Sequence, residues 1–158
     1  MTPYLVTLDR AALEAQGIEG FAYGFADRVR FYELDALNHV NNTAFLRWFE
    51  TARVGYMQDY GLSGYSHGPD DPQLVVRHQS AEYFAPMHQN ESYIVTARTR
   101  LIKPSSFIME YAVFSDGAMR ARGDAVMVSL APDGSGRRAH KPEAVARMIE
   151  QDGAEVAG

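Results

Sequence analysis

The stretch FYELDALNHVNNTAFLRWFETAR, residues 31–53, decides the fold, because two different hydrophobic patterns meet within it. Its first residues belong to RVRFYE, residues 28–33, where apolar and polar side chains alternate and predict a strand with one buried face. From residue 42 to residue 60 apolar side chains recur at three- and four-residue steps, which predicts an amphipathic helix of about 19 residues and roughly 28 Å. Between strand and helix lie one carboxylate, one histidine and three asparagines. A simple turn needs fewer polar groups, so this junction is the candidate functional site.

The predicted helix is the only long one in the chain, and both of its ends carry recognisable signals. Asn41 or Asn42 is a suitable N-cap, because an asparagine side-chain oxygen can accept from an unpaired amide of the first turn. Gly61 is expected to end the helix. The residues expected on its buried stripe are Phe45, Leu46, Phe49, Ala52, Arg53, Tyr56, Met57 and Tyr60.

The remainder of the chain is predicted mainly as strands joined by turns. Residues 7–17 predict a short helix, residues 61–72 a loop, and a second short helix begins near Pro142. Asp116 and Gly117 form a dipeptide that is typical of a tight hairpin turn. The four predicted strands of this part span residues 73–84, 92–102, 107–115 and 118–130.

These elements predict an α+β fold. One helix cannot cover both faces of a five-stranded sheet, whereas an antiparallel sheet can wrap one face around that helix. We therefore expect an antiparallel β-sheet wrapped around one long central helix. We expect a single domain over residues 1–158, with its core at about residues 22–130 and short helical extensions at both ends.

The composition argues against several classes of function. The chain has no cysteine, which excludes a disulfide framework, cysteine-ligated zinc and a thiol nucleophile. The formal net charge of −5 argues against broad nucleic-acid binding. The first residues show no secretory signal, and no apolar run reaches the roughly 20 residues that a membrane span needs. We expect a cytoplasmic protein without nucleic-acid or membrane partners.

The sequence lacks the signatures of other catalytic and cofactor sites. It contains no phosphate-binding or dinucleotide-binding glycine pattern, and no G-x-S-x-G surrounds a serine. The histidines outside the junction have no convincing metal-ligand spacing. We therefore expect that the protein needs neither a metal nor a cofactor.

The junction carries a likeness to a known family. It contains V-R-F-Y-E-x-D (residues 29–35), then HVNN (39–42) and then FLRWFETAR (45–53), and this succession resembles the 4-hydroxybenzoyl-CoA thioesterase-like branch of the hotdog-fold superfamily. The likeness extends in element order over about residues 27–130. It implies a sheet wrapped around the central helix, two subunits paired through their sheet edges, and acyl-CoA sites at the subunit interface. It also implies a junction carboxylate that acts on the thioester and helix-start amides that hold the carbonyl oxygen.

Carried over residue by residue, the resemblance places the catalytic carboxylate on Asp35 and the oxyanion-binding amide near Asn42. His39 either orients the substrate, Asp35 or a water molecule, or fixes the loop by hydrogen bonds. Asn38 and Asn41 either contact the substrate or shape the loop. Asn38 is also a departure from the family pattern, because many relatives have glycine before the histidine.

These residue types suit thioester hydrolysis. The reaction builds negative charge on the carbonyl oxygen, and first-turn amides lack intrahelical partners at the positive end of the helix dipole. Because the CoA thiolate leaves readily, a single carboxylate suffices as nucleophile or general base. A purely structural interpretation of Asp35 stays open, since aspartate often binds backbone amides in turns.

Basic residues for the CoA phosphates are less clearly marked. Lys103, Arg137 and Arg138 lie near predicted strand ends, where a pantetheine arm could emerge, and we assign them to CoA binding; a solvated surface is the alternative. Glu50 and Arg53 lie three residues apart on the helix, which predicts a local ion pair. In some related branches, however, a helix glutamate is the catalytic group.

The predicted function is that of an acyl-CoA thioesterase. We expect a homodimer or homotetramer that acts on an acyl-CoA or an acyl-carrier protein. Two alternatives stay open, namely a hydratase or dehydratase on the same fold and a non-catalytic acyl-binding or interaction module. The acyl group itself is not indicated by the sequence.

Overall fold

A computed structural model describes residues 2–157 as an antiparallel sheet with one long helix, which confirms the predicted α+β fold. Within this range no helix has the length and apolar character needed to cross a lipid bilayer. In chain order the elements are β1 (Thr7–Leu8), α1 (Arg10–Ala15), β2 (Gly24–Arg28), a 3-10 turn (Phe31–Glu33), α2 (Asn42–Asp59), β3 (Gln73–Tyr83), β4 (Ser92–Ile102), β5 (Ser106–Ser115), β6 (Ala118–Leu130), α3 (Pro142–Asp152) and β7 (Glu155–Val156).

The strands form one sheet in the order β1-β2-β4-β5-β6-β3, and neighbours along this order are antiparallel. The short β7 joins the end of β4 in parallel. The sheet has seven strands instead of the five predicted, because two-residue strands such as β1 and β7 leave no pattern in a sequence. β3 lies at one edge, where β6 is its partner among residues 2–157.

The long strands agree closely with the prediction. β4 and β6 begin and end at the predicted residues. β3 and β5 each differ from the predicted bounds by one residue at one end. Between β5 and β6, Asp116 and Gly117 have φ angles of 52° and 75°, the left-handed values that a two-residue hairpin turn requires. The predicted hairpin is therefore confirmed.

The sequence around α2 explains where this helix begins and ends. Asn41 is the N-cap, and its Oδ1 accepts the main-chain N–H of Thr43 at 2.9 Å. Tyr60 caps the other end and is followed by Gly61 with φ 78°, a left-handed value that glycine adopts without strain. The helix therefore has the predicted extent to within one residue.

The buried face of α2 differs from the predicted stripe at Leu46, and it also includes Ala44 and Trp48. Leu46 was expected in the buried stripe but is 37% exposed, whereas Trp48 is 4% exposed. Leu46 lies about 100° around the helix from Phe45, which turns it away from the sheet. The buried residues of the helix are Ala44, Phe45, Trp48, Phe49, Ala52, Arg53, Tyr56 and Met57.

Aromatic contacts hold α2 close to the sheet. The ring of Trp48 stacks on Tyr93 of β4 with centroids 4.0 Å apart, and Phe49 stacks on Tyr111 of β5 with centroids 5.0 Å apart. At Gly123 of β6 the approach is so close that a Cβ atom would lie 2.8 Å from a ring carbon of Phe49. The glycine therefore lets the helix lie against the sheet, as the predicted wrapping requires.

The predicted strand at residues 28–33 is wrong in its position. β2 ends at Arg28, which pairs with Ser92 at the start of β4, and the next residues form the 3-10 turn. The main chain of Val29 still exchanges hydrogen bonds with Glu91 and Asn90, at 2.9 and 3.0 Å, before the chain leaves the sheet. Glu33 closes the turn, since its side chain accepts a main-chain N–H three residues earlier at 2.8 Å. Phe31, expected on the buried face of the strand, is 74% exposed.

The N-terminal segment covers the sheet face opposite α2. The helix predicted at residues 7–17 spans only Arg10–Ala15, because Thr7 and Leu8 pair with β2 and Asp9 caps the helix. The Asp9 carboxylate accepts the N–H of Ala12 at 2.9 Å. This segment and the outer sheet face share a smaller core formed by Leu8, Leu13, Ile18, Phe21, Ala26, Ile94 and Ala112.

The C-terminal helix begins at Pro142, as predicted, and Asp152 at its end links it to α2 and β4. The Asp152 carboxylate accepts the hydroxyls of Tyr56 and Tyr60 at 2.5 and 2.6 Å and the main-chain N–H of Thr99 at 2.9 Å. Burial raises the pKa of Asp152, and these donors act in the opposite direction. One carboxylate thus joins three elements.

Candidate active site

The polar junction between the 3-10 turn and α2 is a closed loop. Leu34 and Val40 form an antiparallel bridge at its two ends, and inside it the N–H of Asp35 donates to the carbonyl of His39 at 2.8 Å. The N–H of Val40 donates to the carbonyl of Met87 at 2.8 Å, which attaches the loop to the connection between β3 and β4. Hydrogen bonds within the loop and one hydrogen bond to the connection between β3 and β4 therefore fix its conformation.

Asp35 uses one of its two carboxylate oxygens to hold this loop. Its Oδ1 accepts the main-chain N–H groups of Leu37 at 2.8 Å and of His39 at 3.3 Å. Its Oδ2 forms no hydrogen bond with any group of residues 2–157. A turn-forming oxygen and an oxygen without a hydrogen-bond partner among residues 2–157 therefore coexist in one half-buried side chain.

The departure from glycine at Asn38 has a conformational explanation. Asn38 has φ 59°, in the left-handed region that glycine adopts freely and that asparagine tolerates better than most other residues. Its N–H donates to the carbonyl of Asp35 at 3.0 Å, so it contributes to the closed loop. The side chain is exposed and does not line the pocket described below. These contacts favour the loop-shaping role.

The start of α2 provides an N–H group without an acceptor. The side-chain oxygen of Asn41 accepts from both the N–H and the hydroxyl of Thr43 at 2.9 Å, so Asn41 and not Asn42 is the N-cap. The main-chain N–H of Asn42 forms no hydrogen bond within residues 2–157, as is typical of the first helical position. It lies at the positive end of the helix dipole, which favours an anion there.

Three of the predicted residues meet in one pocket. This pocket has a volume of about 370 Å³ and is open to solvent. Asp35 and His39 come from the loop and Asn42 from the first turn of α2. The remaining wall is formed by Val40, Phe45, Tyr83, Phe84, Ala85 and Pro86. The pocket therefore combines a free carboxylate oxygen, an imidazole and a helix N-terminus with aromatic surface.

Asn41 lines a different cleft, of about 590 Å³, on the other side of the helix start. Its floor contains Trp48, whose indole N–H donates to the Glu33 carboxylate at 2.6 Å. Because Asn41 faces this cleft and caps α2, its contacts favour the loop-shaping role over contact with a substrate in the Asp35 pocket.

The basic residues assigned to CoA phosphates are distant from Asp35 within one chain. Arg137 forms a bridge with Leu130, which pairs with the first residue of β3. Arg138 and Lys103 lie at the same end of the sheet, next to the ends of β6 and β4. The pocket lies at the last residue of β3, and the 11 residues of this strand span about 35 Å. A single chain does not bring these groups together.

The helix pair Glu50 and Arg53 forms the ion pair that its spacing predicts, with the nearest nitrogen and oxygen 3.7 Å apart. The Arg53 guanidinium is buried and also donates to the Tyr111 hydroxyl at 3.1 Å. Glu50 is exposed and does not line the pocket with Asp35. Their contacts favour the structural interpretation of this pair.

The sequence analysis missed the pocket wall contributed by the end of β3 and the connection that follows it. Tyr83 and Phe84 appear there, and a few residues later the ring of His88 meets the ring of His39 edge to face with centroids 5.2 Å apart. In the sequence, Pro86 is the one residue that indicates where β3 ends, because proline typically ends a strand. It does not reveal that this strand ends beside the start of α2.

Comparisons with known proteins agree on one family. A sequence model described as the Thioesterase-like superfamily matches residues 29–149. A 1,4-dihydroxy-2-naphthoyl-CoA hydrolase of Synechococcus sp. (strain RCC307) is 28% identical over 127 residues, which cover 77% of this chain and 96% of that protein.

Two solved structures are similar over most of the fold. A thioesterase superfamily protein from Jannaschia sp. CCS1 is 37% identical with a TM-score of 0.94, and the match covers 99% of this chain and 100% of that one. A thioesterase from Thermus thermophilus, in complex with coenzyme A and Zn, is 34% identical with a TM-score of 0.71. That match covers 86% of this chain and 98% of that one.

Proposed function

This chain belongs to the thioesterase-like superfamily and is a thioester hydrolase, and we propose that it cleaves an acyl-CoA in the pocket beside Asp35. The family predicted from the junction is thereby confirmed. The observation that carries the proposal is that Asp35 and Asn42 line one pocket, and that Oδ2 of the first and the main-chain N–H of the second are unpaired within residues 2–157. Within residues 2–157, each lacks a hydrogen-bond partner and is available to a substrate.

Asp35 has two chemically balanced ways to act on the thioester. As a nucleophile, Oδ2 adds to the carbonyl carbon, the CoA thiolate leaves, and water hydrolyses the resulting anhydride. As a general base, Asp35 takes a proton from a water molecule while that water adds to the same carbon. A single turnover in ¹⁸O-labelled water identifies the nucleophilic route where water attacks the Asp35 carbon of the anhydride, because only that reaction puts label into the Asp35 carboxylate.

The negative charge of the tetrahedral intermediate requires a donor, and the N–H of Asn42 is the proposed one. It points out of the first turn of α2, where the helix dipole adds to its effect. Loss of one such donor typically costs about 3 kcal/mol of transition-state stabilisation. His39 lines the same pocket and is proposed to orient the substrate or water.

The pocket wall supports an aromatic acyl group. Phe45 and Tyr83 meet with ring centroids 5.2 Å apart, and Phe84 lies next to them. Flat aromatic groups pack well against such surfaces. The relative from Synechococcus is named as a hydrolase of a naphthoyl-CoA, which is an aromatic acyl-CoA. We therefore propose an aromatic acyl-CoA as substrate.

A hydrolysis panel tests this proposal. Aromatic and aliphatic acyl-CoAs are offered to the wild type and to Asp35→Asn, and released thiol is measured. We expect an aromatic acyl-CoA to give the highest kcat/KM and Asp35→Asn to lose nearly all activity. Equal hydrolysis by both proteins would remove Asp35 from the mechanism, and hydration of an enoyl-CoA without thiol release would indicate a hydratase.

We also propose that two copies associate through β3. This edge strand is long and carries exposed Val75 and Val76, and a free edge of this kind readily pairs with another strand. In an antiparallel pair the first residue of one β3 lies beside the last residue of the other. Arg137 and Arg138 of one copy would then approach the Asp35 pocket of the other.

Sedimentation and kinetics test the association together. We expect wild type to sediment as a dimer or a pair of dimers, and Val76→Asp to shift it to monomers. Replacing Arg137 and Arg138 by alanine should raise KM for an acyl-CoA while leaving the oligomeric state unchanged. A monomeric wild type with full activity would contradict this arrangement. It would also favour the alternative interpretation of Lys103, Arg137 and Arg138 as solvated surface residues that do not bind CoA.

A further inference from the structure

A polar cleft of about 590 Å³ lies on the other side of the helix start from the Asp35 pocket. One wall is a row of α2 side chains four residues apart, namely Thr43, Arg47 and Thr51. The 3-10 turn and the end of β2 form the opposite wall. A cavity of this size can hold a small molecule, and the proposed hydrolysis makes no use of it.

Tyr93 of β4 provides a hydrogen-bond donor in the floor of this cleft. It is 3% exposed, and its hydroxyl forms no hydrogen bond with any group of residues 2–157. Tyr93 lies directly opposite Asp27 in the pairing of β2 with β4, and its ring stacks on Trp48, so its side chain is on the face toward α2. Because buried tyrosine hydroxyls usually have a partner, an unpaired one in a cleft indicates the place of a bound acceptor.

The two carboxylates of the cleft already have partners. Both oxygens of Asp27 lie 3.2 Å from one guanidinium nitrogen of Arg30. One oxygen of Glu33 accepts the main-chain N–H of Arg30 at 2.8 Å, and the other accepts the indole N–H of Trp48 at 2.6 Å. Each of the four carboxylate oxygens therefore accepts a hydrogen bond from within the chain, which disfavours a cation as the ligand.

Arg47 adds a positive charge to the cleft that has no partner. Its side chain is exposed, and it forms no ion pair with any group of residues 2–157. We propose that this cleft binds an oxyanion, a phosphate or carboxylate group, through the guanidinium of Arg47 and the hydroxyl of Tyr93. A guanidinium can bind two oxygens of such a group at once. The CoA phosphates and a separate small anion share this chemistry. Binding of the anion does not require the proposed hydrolysis beside Asp35.

The Tyr93 hydroxyl keeps its proton at neutral pH and is therefore a donor. Burial raises the pKa of Tyr93, and the nearby carboxylates of Asp27 and Glu33 raise it further. A hydrogen bond from this hydroxyl to a charged acceptor is roughly twice as strong as one to a neutral acceptor. The same carboxylates would repel an anion if they were unpaired, and their pairing with Arg30 and Trp48 offsets that repulsion.

Trp48 offers a direct readout, because it is the only tryptophan of the chain and lies in the floor of the cleft. Titration with inorganic phosphate at constant ionic strength should shift its indole N–H resonance to a plateau. Arg47→Gln and Tyr93→Phe should each raise the dissociation constant at least about tenfold. Arg100→Gln is the matched control, because Arg100 is an exposed arginine outside the cleft, and it should titrate as wild type does. A wild type without a saturable shift, or an unchanged titration in Arg47→Gln, overturns the proposal.

Thermal melting separates a ligand contact from a structural one. Tyr93→Phe keeps the ring on Trp48 and removes a hydroxyl without a partner in the chain, so without phosphate it should melt within about 2 °C of wild type or above it. Added phosphate should raise the melting temperature of wild type but not that of Tyr93→Phe. A clearly lowered melting temperature without phosphate would assign the hydroxyl to the fold and overturn the proposal.

Kinetics identify the source of the anion. If the CoA phosphates occupy the cleft, phosphate should compete with an acyl-CoA, and Arg47→Gln should abolish this competition and raise KM at least about tenfold. If a separate anion occupies it, phosphate and the acyl-CoA should bind independently. Both results support an oxyanion site. Failure of the proposed hydrolysis looks different, because a wild type without activity toward any acyl-CoA would keep the phosphate-dependent shift of the Trp48 resonance.

Discussion

The Oδ1 atom of Asp35 lies 2.8 Å from the main-chain nitrogen of Leu37, and this hydrogen bond distinguishes Oδ1 from Oδ2, the oxygen that we propose acts on a substrate. The same oxygen accepts the N–H of His39 at 3.3 Å. An asparagine can make both contacts through its own Oδ1 while replacing the reactive Oδ2 by an amide. One substitution therefore separates the structural role of this residue from its chemical role.

We expect Asp35→Asn to lose at least a thousandfold in kcat/KM for the best acyl-CoA while melting within about 2 °C of wild type. The amide keeps the turn but is neither nucleophile nor base at neutral pH. Steady-state thiol release and thermal melting measured on the same preparation check this prediction. Asp35→Ala is the control, because it loses the turn as well and should also lower the melting temperature.

Asn42→Pro should remove the proposed oxyanion amide with little effect on folding. Proline is well accepted at the first helical position, and Asn41 before it has φ −63° and ψ 139°, the extended conformation that a following proline favours. We expect kcat to fall about a hundredfold or more. Asn42→Ala retains the N–H and should stay within a few-fold of wild type. Similar kinetics for the two variants would exclude this amide from the mechanism.

Asn38→Ala should destabilise the protein by about 1 kcal/mol, because alanine has no local polar contact to offset a left-handed φ of 59°. Asn38→Gly should remain within about 0.5 kcal/mol of wild type, since glycine adopts this conformation freely. Urea unfolding of both variants measures the difference. A stable alanine variant would mean that the loop relaxes into another conformation.

Gly123→Ala should destabilise the protein by about 1–3 kcal/mol, because the added methyl group meets the main-chain carbonyl oxygen of Ser80 and, at 2.8 Å, the ring of Phe49. Denaturant unfolding gives the free energy. Combining it with Phe49→Leu, which trims the opposing ring, should recover part of the loss. If the two effects simply add, the contact with the Ser80 carbonyl oxygen and not the contact with Phe49 is the cause.

The link made by Asp152 predicts a pH dependence with a definite sign. Burial raises the pKa of Asp152 in the folded state, so that state binds the proton more tightly than the unfolded chain does. This contribution to stability is complete below the ordinary pKa of about 4 and is lost as the pH rises through the raised value. The unfolding free energy of wild type minus that of Asp152→Asn should therefore fall as the pH rises from about 4 to 7.

The control for this pH series is Asp133→Asn. Hydrogen bonds from Ser135 lower the pKa of Asp133, so its contribution appears as the pH rises past the ordinary value and does not decline toward neutrality. Urea unfolding at four pH values between about 4 and 7 measures both differences. Parallel curves for the two variants would show that titration of Asp152 does not contribute.

Local patterns in the sequence predicted α2 and located the polar junction before it, because helix periodicity and capping act within a few residues. The strand before the loop was misplaced, since the extent of β2 depends on its pairing with β4, in which Arg28 lies opposite Ser92, more than sixty residues later in the chain. Leu46 was misassigned because a single apolar residue beside the stripe does not alter the helical period.

The composition of the pocket depends on pairing between distant strands. Asp35, His39 and Asn42 were predicted from one short segment, and the structure places all three around one pocket. Tyr83 joins them through the register of β3 against β6, which leaves no mark in a single sequence. The same register places Arg137 at the other end of the sheet.

The internal hydrogen bonds of the Asp35 loop also bear on how the protein would choose among substrates. Because the loop is ordered before any ligand arrives, little conformational entropy is lost on binding, and no closing step is required to assemble the reactive groups. Discrimination between acyl groups would then depend on how well each fills a preformed shape, and rates would be insensitive to solvent viscosity.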